Sequence, residues 1–396
     1  MAHRTSVVWD DVFTAYDFGP DHPMGPVRLD LTTRLARSLG VLDRVDVRAP
    51  DVASDELLAT GHDPGYVEAV RAASLDPSAA DPNRGLGTED DPAFAGMHEA
   101  AARIVQGTVD LCREVWEGET DHGVNYCGGL HHAMPTHASG FCIYNDITVG
   151  IRWLLEHGAE RVAYVDVDVH HGDGVERAFW NDPRVLTVSL HESGRHIFPG
   201  TGWPGDVGGP DARGSAVNVA LPPGTTDASW LRAIDAVVPP VVRAFAPDVL
   251  VTQHGCDTHL EDPLAHLAVT VDAQRRAQDE LHTLAHDVCD GRWVALGGGG
   301  YELVDVVPRS WTHLTAIAAH VPLEPSTPVP EEWREHVRHL LGREAPWRMG
   351  DLPADRLPIW VQPWQMGHNP DHPLDRSVFA TRQAVFPFHG LDPWFD

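Results

Sequence analysis

Between Val165 and Gly174 the chain reads Val-Asp-Val-Asp-Val-His-His-Gly-Asp-Gly. Strand alternation would set Asp166, Asp168 and His170 on one face and Val165, Val167 and Val169 on the other. Two carboxylates and an imidazole at a strand's carboxyl end form a metal-ligand pattern, and their oxygen and nitrogen donors suit Zn²⁺, Fe²⁺ or Mn²⁺. Like charges this crowded near a core call for a cation. The plainer reading, acids capping the next helix, suits Asp173, just ahead of a helix expected from about Val175. A second apolar run ends in Gln253-His254-Gly255-Cys256-Asp257. An Asp in a Gly-containing loop is ordinarily a turn residue. Here its place past a strand end lets it complete an Asp168–His170–Asp257 trio, with positions left for water and substrate.

Three further segments supply groups that such a centre could use. Gly128-Gly129-Leu130-His131-His132-Ala133 offers adjacent imidazoles after two glycines. Beside a metal-activated water, a His serves as general base or acid. Gly140-Phe141-Cys142-Ile143-Tyr144-Asn145-Asp146 reads as a loop entering a helix, where Phe141 is either core or the wall of a channel. Gly297-Gly298-Gly299-Gly300-Tyr301 follows another strand. Four glycines expose or bend the backbone, and a Tyr hydroxyl on such a loop can donate to a developing oxyanion. A phosphate loop is excluded, because no Gly-Lys-[Ser/Thr] follows and the chain has no Lys. No G-x-S-x-G marks a serine hydrolase, and no G-x-G-x-x-G joins a strand to a helix. Metal-assisted hydrolysis is the chemistry these residues support.

The elements that must position these groups alternate. Strands are expected at 5–9, 161–169, 185–191, 248–254 and 292–296, and helices at 28–39, 94–116, 147–157, 229–245, 273–289 and 304–319. Several strands are apolar on both faces, the pattern of a parallel sheet covered on both sides. Right-handed βαβ units follow, with ligands at the carboxyl edge of the sheet. The expected fold is therefore α/β, a three-layer sandwich around a mainly parallel sheet. Residues 1–320 read as one catalytic domain. Residues 321–396 hold 12 Pro and five Trp, with one expected helix at 331–341, and read as an extension packed on that domain.

Composition narrows the class. The 396 residues carry 58 acidic against 29 basic side chains, a formal charge of −29, which disfavours nucleic acid and anionic membranes and suits a cationic substrate. Five scattered cysteines and no C-x-x-C pair fit a reducing cytoplasm. The opening residues show no signal peptide, and no apolar run is long enough for a membrane span. No internal repeat appears.

Taken in order, the segments HPMGPVR (22–28), GGLHHA, GFCIYND, DVDVHHGDGVE (166–176), TVSLH (187–191), FPGTG (198–202), QHGCD and GGGGY resemble the metal-dependent histone deacetylase family, which shares its fold with arginases. The resemblance spans roughly residues 5–315 and is strongest to the bacterial acetoin-utilisation (AcuC-type) deacetylases, through HPMGPVR and GCDTHLEDPLAHL. It implies that Asp168, His170 and Asp257 bind Zn²⁺ or Fe²⁺. His131 and His132 correspond to the catalytic pair, Asp166 and Asp173 to its carboxylate partners, and Tyr301 to the residue that polarises the acyl carbonyl. Phe141 and Phe198 correspond to the walls of an acyl-lysine tunnel, with Gly140 and Gly299 beside it. Arg28 corresponds to an arginine near the acetate exit, and Asp90 to a rim acid that holds substrate backbone. The family also binds K⁺, here around Asp166, Asp168, His170, Ser189 and Leu190, with a second site near Phe179, Asp182, Val185 and Ser215. Cys256 stands where many relatives carry Ala, its side chain expected to point away from Asp257's. The implied activity is hydrolysis of acetyl-lysine in proteins, acetyl-CoA synthetase being one implied partner. The alternatives are an acetylpolyamine amidohydrolase, a two-manganese ureohydrolase and a non-catalytic acyl-lysine binding module.

Overall fold

The computed structural model describes residues 4–353 and 358–396. Runs such as VAYVD, VLTVSLHE and VLVTQ are buried along their whole length, so each must be covered on both faces. They belong to an eight-stranded sheet of β1 (Thr5–Val8), β2 (Asp46–Arg48), β3 (His122–Asn125), β4 (Val162–Asp166), β5 (Val185–Glu192), β6 (Ala216–Leu221), β7 (Val249–Gln253) and β8 (Trp293–Leu296). The order is β2-β1-β3-β8-β7-β4-β5-β6, and every pairing is parallel. The chain is therefore an α/β three-layer protein, more uniformly parallel than the sequence required.

The register decides where chemistry can gather. Asn125 pairs with Leu296, Leu296 with Gln253 and Gln253 with Asp166, so β3, β8, β7 and β4 end level with one another. The segments that follow these four strands all leave the same edge. The helices are α1 (Val27–Ser38), α2 (Asp55–Leu58), α3 (Pro64–Leu75), α4 (Met97–Trp116), α5 (Asp146–Glu156), α6 (Asp173–Phe179), α7 (Asp227–Phe245), α8 (Val271–Cys289), α9 (Val307–Ala318), α10 (Glu331–Leu341) and α11 (Pro373–Val385). One layer contains α4, α5 and α6; the other runs through α1, α9, α8 and α7. Among the described residues no helix is long and apolar enough to cross a membrane.

Residues after 320 fold back on this body. Trp333 of α10 is buried against α1 and donates to Leu31 O at 3.0 Å, within an apolar cluster of Leu31, Leu35, Val304, Val337 and Met349. Helix α11 lies against β6, where Thr381 Oγ1 donates to Asn218 O at 2.6 Å and Ser377 to Ala220 O. The sheet edge at β6 is thereby covered rather than left open to pairing.

Three expectations need correction. Residues 321–396 carry a second helix, α11, beside the one expected at 331–341, because its apolar face packs on β6. The strand expected at 161–169 ends at Asp166. Asp168 N then donates to Asp166 Oδ1 (3.1 Å) and His170 N to Asp168 Oδ1 (2.9 Å), side-chain turns that compete with the ladder. Strand alternation therefore does not orient Asp168 and His170. The helix expected from about Val175 begins at Asp173 itself, with Gly172 at the N-cap.

Candidate active site

The segment after β4 and the segment after β7 meet at the level carboxyl edge. His170 Nδ1 lies 3.2 Å from Asp168 Oδ1 and 3.1 Å from Asp257 Oδ2, and all three residues are buried. Their other oxygens are held from outside the trio. Asp168 Oδ2 accepts from Gln253 Nε2 (2.7 Å) and Gly299 N (2.8 Å), and Asp257 Oδ1 from Val169 N (2.9 Å). Gly299 is required there: a Cβ would stand 2.0 Å from Asp257 Oδ2 and 2.9 Å from Asp168 Oδ2. Two carboxylates face one imidazole, and Asp262 adds charge nearby. Burial and the adjacent Asp168 push Asp257 up to about 7. Asp168, against its own burial, is held well below the usual carboxylate range by His131 and His170. This donor set fits a divalent ion. The ligand atoms lie within 4.8 Å of one another, and their excess negative charge is what such an ion would neutralise.

The loop after β3 brings the two imidazoles. Buried Asp146, at the start of α5, accepts from Gly129 N (3.1 Å), Leu130 N (2.8 Å) and Thr108 Oγ1 (2.6 Å), and so fixes the turn. His131 Nδ1 donates to Asp166 Oδ2 (2.8 Å), which also accepts from Tyr164 Oη (2.6 Å). His132 Nδ1 donates to Asp173 Oδ1 (2.7 Å), and the two Nε2 atoms stand 3.0 Å apart, close enough to share a proton. Burial opposes charge on both rings. For His131 the Asp166 and Asp168 carboxylates overcome it and raise the imidazole to about 9. For His132 burial prevails, reinforced by charge on His131, and lowers it to about 4. The pair therefore divides into a proton-bearing member and a neutral one with its lone pair on Nε2.

These groups open into a cavity of about 310 Å³. Phe141, Phe198, Tyr301 and Gly140 form its walls, His132 and His170 its depth, and Asp90 part of its mouth. The Phe141 ring meets Tyr301 edge-on at 5.7 Å, and the Phe198 ring meets His132 at 4.9 Å. Phe141 holds a left-handed backbone (φ 66), and its carbonyl accepts from Tyr16 Oη at 2.8 Å. Burial, then the charges of Asp257 and Asp168, push the Tyr301 phenol well above its ordinary range, so it remains a donor. Asp262 Oδ2 accepts from Tyr301 N at 2.8 Å and anchors the Gly-rich turn.

The resemblance assigned no role to His196, Ile197, Leu264 and His266, which also line the cavity. Nor did it assign one to Asp146, Gln253 or Asp262. All but His196 and Ile197 lie within quoted motifs, so their signal was position next to a ligand rather than residue type. Arg28 is buried and donates to the Gly298 (2.8 Å) and Gly300 (3.1 Å) carbonyls, beneath the Tyr301 turn. Cys256 is buried, its Sγ beside Gly300, and burial raises its thiol well above normal. Ser189 faces His191 Nδ1 at 2.8 Å on β5, next to Leu190. The Asp182 carboxylate pairs with Arg184 at 2.7 Å, and its main-chain carbonyl accepts from Val185 N at 3.2 Å.

The model of the histone deacetylase domain matches residues 22–318. The chain belongs to the histone deacetylase family. Its curated relatives include the acetoin utilization protein AcuC of Bacillus subtilis, 40% identical over 96% of this chain and 98% of that relative. The AcuC proteins of Staphylococcus xylosus (37%, over 84% and 87%) and Staphylococcus aureus strain MSSA476 (37%, over 88% and 90%) are similar along most of their length too. Membership of the histone deacetylase family makes this chain a hydrolase of the deacetylase type, and the carboxyl-edge cluster lies inside the matched region.

Proposed function

We propose that the chain removes acetyl groups from lysine side chains of proteins and releases acetate. The observation carrying this reading is the junction of one narrow, aromatic-walled cavity with His132, His170 and Tyr301, directly in front of Asp168, Asp257 and His131. Asp168, His170 and Asp257 would hold one Zn²⁺ or Fe²⁺. Such an ion supplies Lewis-acid polarisation of a carbonyl and of water.

The chain's own residues do the rest. Phe141 and Phe198 flank the apolar stem of the acylated lysine, and Asp90 at the mouth accepts from the substrate backbone. His132, oriented by Asp173, takes a proton from water as the water oxygen bonds to the carbonyl carbon. Tyr301 donates to the oxygen on which negative charge grows. The imidazole pair then returns a proton to the amide nitrogen as the C–N bond breaks, with Asp166 and Asp173 stabilising the charged ring. One water is consumed, and acetate and a protonated amine leave, acetate by way of Arg28. K⁺ ions at the Asp166–Leu190 and Phe179–Ser215 regions would stiffen the loop after β4. An acetylated protein such as acetyl-CoA synthetase is the partner that AcuC likeness suggests, and residues 321–396 serve as a clamp on the catalytic body.

The test is a panel of acyl-lysine peptides alongside N-acetylputrescine, with metal content measured and a hydroxamate as inhibitor control. The reading expects the acetyl-lysine peptides to be preferred and hydroxamate to block turnover. Faster turnover of N-acetylputrescine would replace it with a polyamine deacetylase.

A further inference from the structure

At the opposite edge of the sheet, four imidazoles from separate parts of the chain converge. His122 opens β3, His282 and His286 sit one turn apart near the end of α8, and His320 follows α9. One ligand nitrogen from each lies within 4.8 Å of all the others. We propose that His122, His282, His286 and His320 form a second metal site, separate from catalysis, that takes one divalent ion of the zinc class.

Four features support it. First, the spacing suits coordination: His282 Nε2 and His286 Nε2 are 3.2 Å apart, and tetrahedral Zn–N bonds of about 2.05 Å place neighbouring nitrogens about 3.3 Å apart. Second, the buried member is anchored. His122 Nδ1 donates to Ala318 O at 2.7 Å, and its Nε2 is the nitrogen on the side of His286. A ligand His fixed by a carbonyl on its other nitrogen is the usual supporting arrangement. Third, the backbone is shaped around the rings. His320 adopts a left-handed conformation (φ 56) that brings its ring to 4.8 Å from those of His122 and His282. Gly291 (φ 82) leaves room for His286, because a Cβ there would lie 2.8 Å from its Cε1. Fourth, the electrostatics favour a cation. Both α8 and α9 end here, with the negative ends of their dipoles toward the cluster.

Four nitrogen ligands close the coordination sphere, the mark of a structural rather than a catalytic ion. Bound there, the ion ties β3, α8 and the exit of α9 together. The experiment uses the full chain without a polyhistidine tag, stripped with chelator, reloaded with Zn²⁺ and desalted, with zinc per chain then measured. The wild type is expected to keep about two ions. Asp168→Asn/Asp257→Asn should keep the amino-edge ion alone, His282→Ala/His286→Ala the carboxyl-edge ion alone, and the combined variant neither. A His282→Ala/His286→Ala chain with the wild-type zinc content would overturn the proposal, as would an Asp168→Asn/Asp257→Asn chain with none. If removing both helix imidazoles prevents folding, His320→Ala in the Asp168→Asn/Asp257→Asn background is titrated with Co²⁺. Intense visible absorption of tetrahedral Co²⁺ is expected before the His320 change and should be lost after it. Equal absorption in both, or none in either, would mean that the rings merely pack. Failure of the deacetylation assay would leave these metal counts unaffected, so the two readings fail separately.

Discussion

The two edges of the sheet gather candidate metal ligands in opposite ways. At the carboxyl edge, loops and the starts of α5 and α6 present N–H groups, and the cluster is built around the carboxylates Asp168 and Asp257 with His170. At the amino edge, the ends of α8 and α9 present carbonyls, and the candidate ligands among the described residues are four imidazoles, with the Asp121 charge beside His122. The helix dipoles account for the contrast. Where they are positive, the ligands must bring negative charge; where they are negative, neutral ligands can hold a cation. The number of ligands differs as well. Three protein ligands facing a cavity leave positions for substrate, and four facing one another do not.

The largest effect that would sharpen this contrast is at the carboxyl edge. Asp257→Asn keeps the side-chain shape and removes the charge, and should cut turnover by roughly 10³-fold or more, the several kcal/mol that a Lewis acid contributes. Circular dichroism and gel filtration should remain those of the wild type. Near-normal turnover at preserved fold would remove the trio from the chemistry. Tyr301→Phe follows. It removes only a donor aimed into the cavity, so kcat should fall about 10²–10³-fold while KM moves little. A change confined to KM would recast Tyr301 as a wall of the cavity.

Much of the carboxyl edge was legible in the sequence because its residues are packed into short segments, each directly after a strand. Asp166 to Asp173 span one loop, and His131 and His132 are neighbours. What could not be read was how the loops are held. Asp146, which fixes the turn before His131, looks in sequence like an ordinary helix-start acid. Alternation also misrepresented the route to His170, since side-chain turns replace the strand after Asp166. Strands β2, β3 and β6 went unseen: DVR is exposed throughout, HGVN is short and contains Gly, and AVNVAL is interrupted by Asn218. The amino-edge cluster was hidden for a different reason. Its members are spread from residue 122 to residue 320 and meet only through topology, and two His one helical turn apart are unremarkable by themselves.

Imidazoles outside both clusters give a further comparison, in which burial acts without a metal. Burial lowers His62 to about 4 and His254 to about 3, and burial aided by Arg275 lowers His313 to about 3. An unfolded His titrates near 6.5. Between these values the unfolded chain binds protons that the folded chain refuses, so stability is complete above about pH 6.5 and falls as pH drops toward the folded values. At pH 5 each such ring costs about 2 kcal/mol. Urea midpoints at pH 7.5 and pH 5 should differ sharply, and His313→Gln should reduce the difference. Equal midpoints at the two pH values would mean that these rings are already charged in the folded protein.

The smallest effect is the one that separates the edges most cleanly. His282→Ala/His286→Ala alters the edge remote from the cavity, and no group placed in the deacetylation chemistry touches it. Its kcat/KM on an acetyl-lysine peptide should stay within about two-fold of the wild type at low temperature. Its thermal midpoint should fall, and added Zn²⁺ should no longer raise it, because a ligand that binds only the folded state stabilises only a chain that can bind it. Asp257→Asn should behave in reverse, inactive yet still stabilised by Zn²⁺ through the amino edge. If instead the His variant lost activity in parallel with stability, the two edges would be coupled through β3, whose four residues run from His122 at one cluster to Asn125, just before the loop that carries His131 and His132.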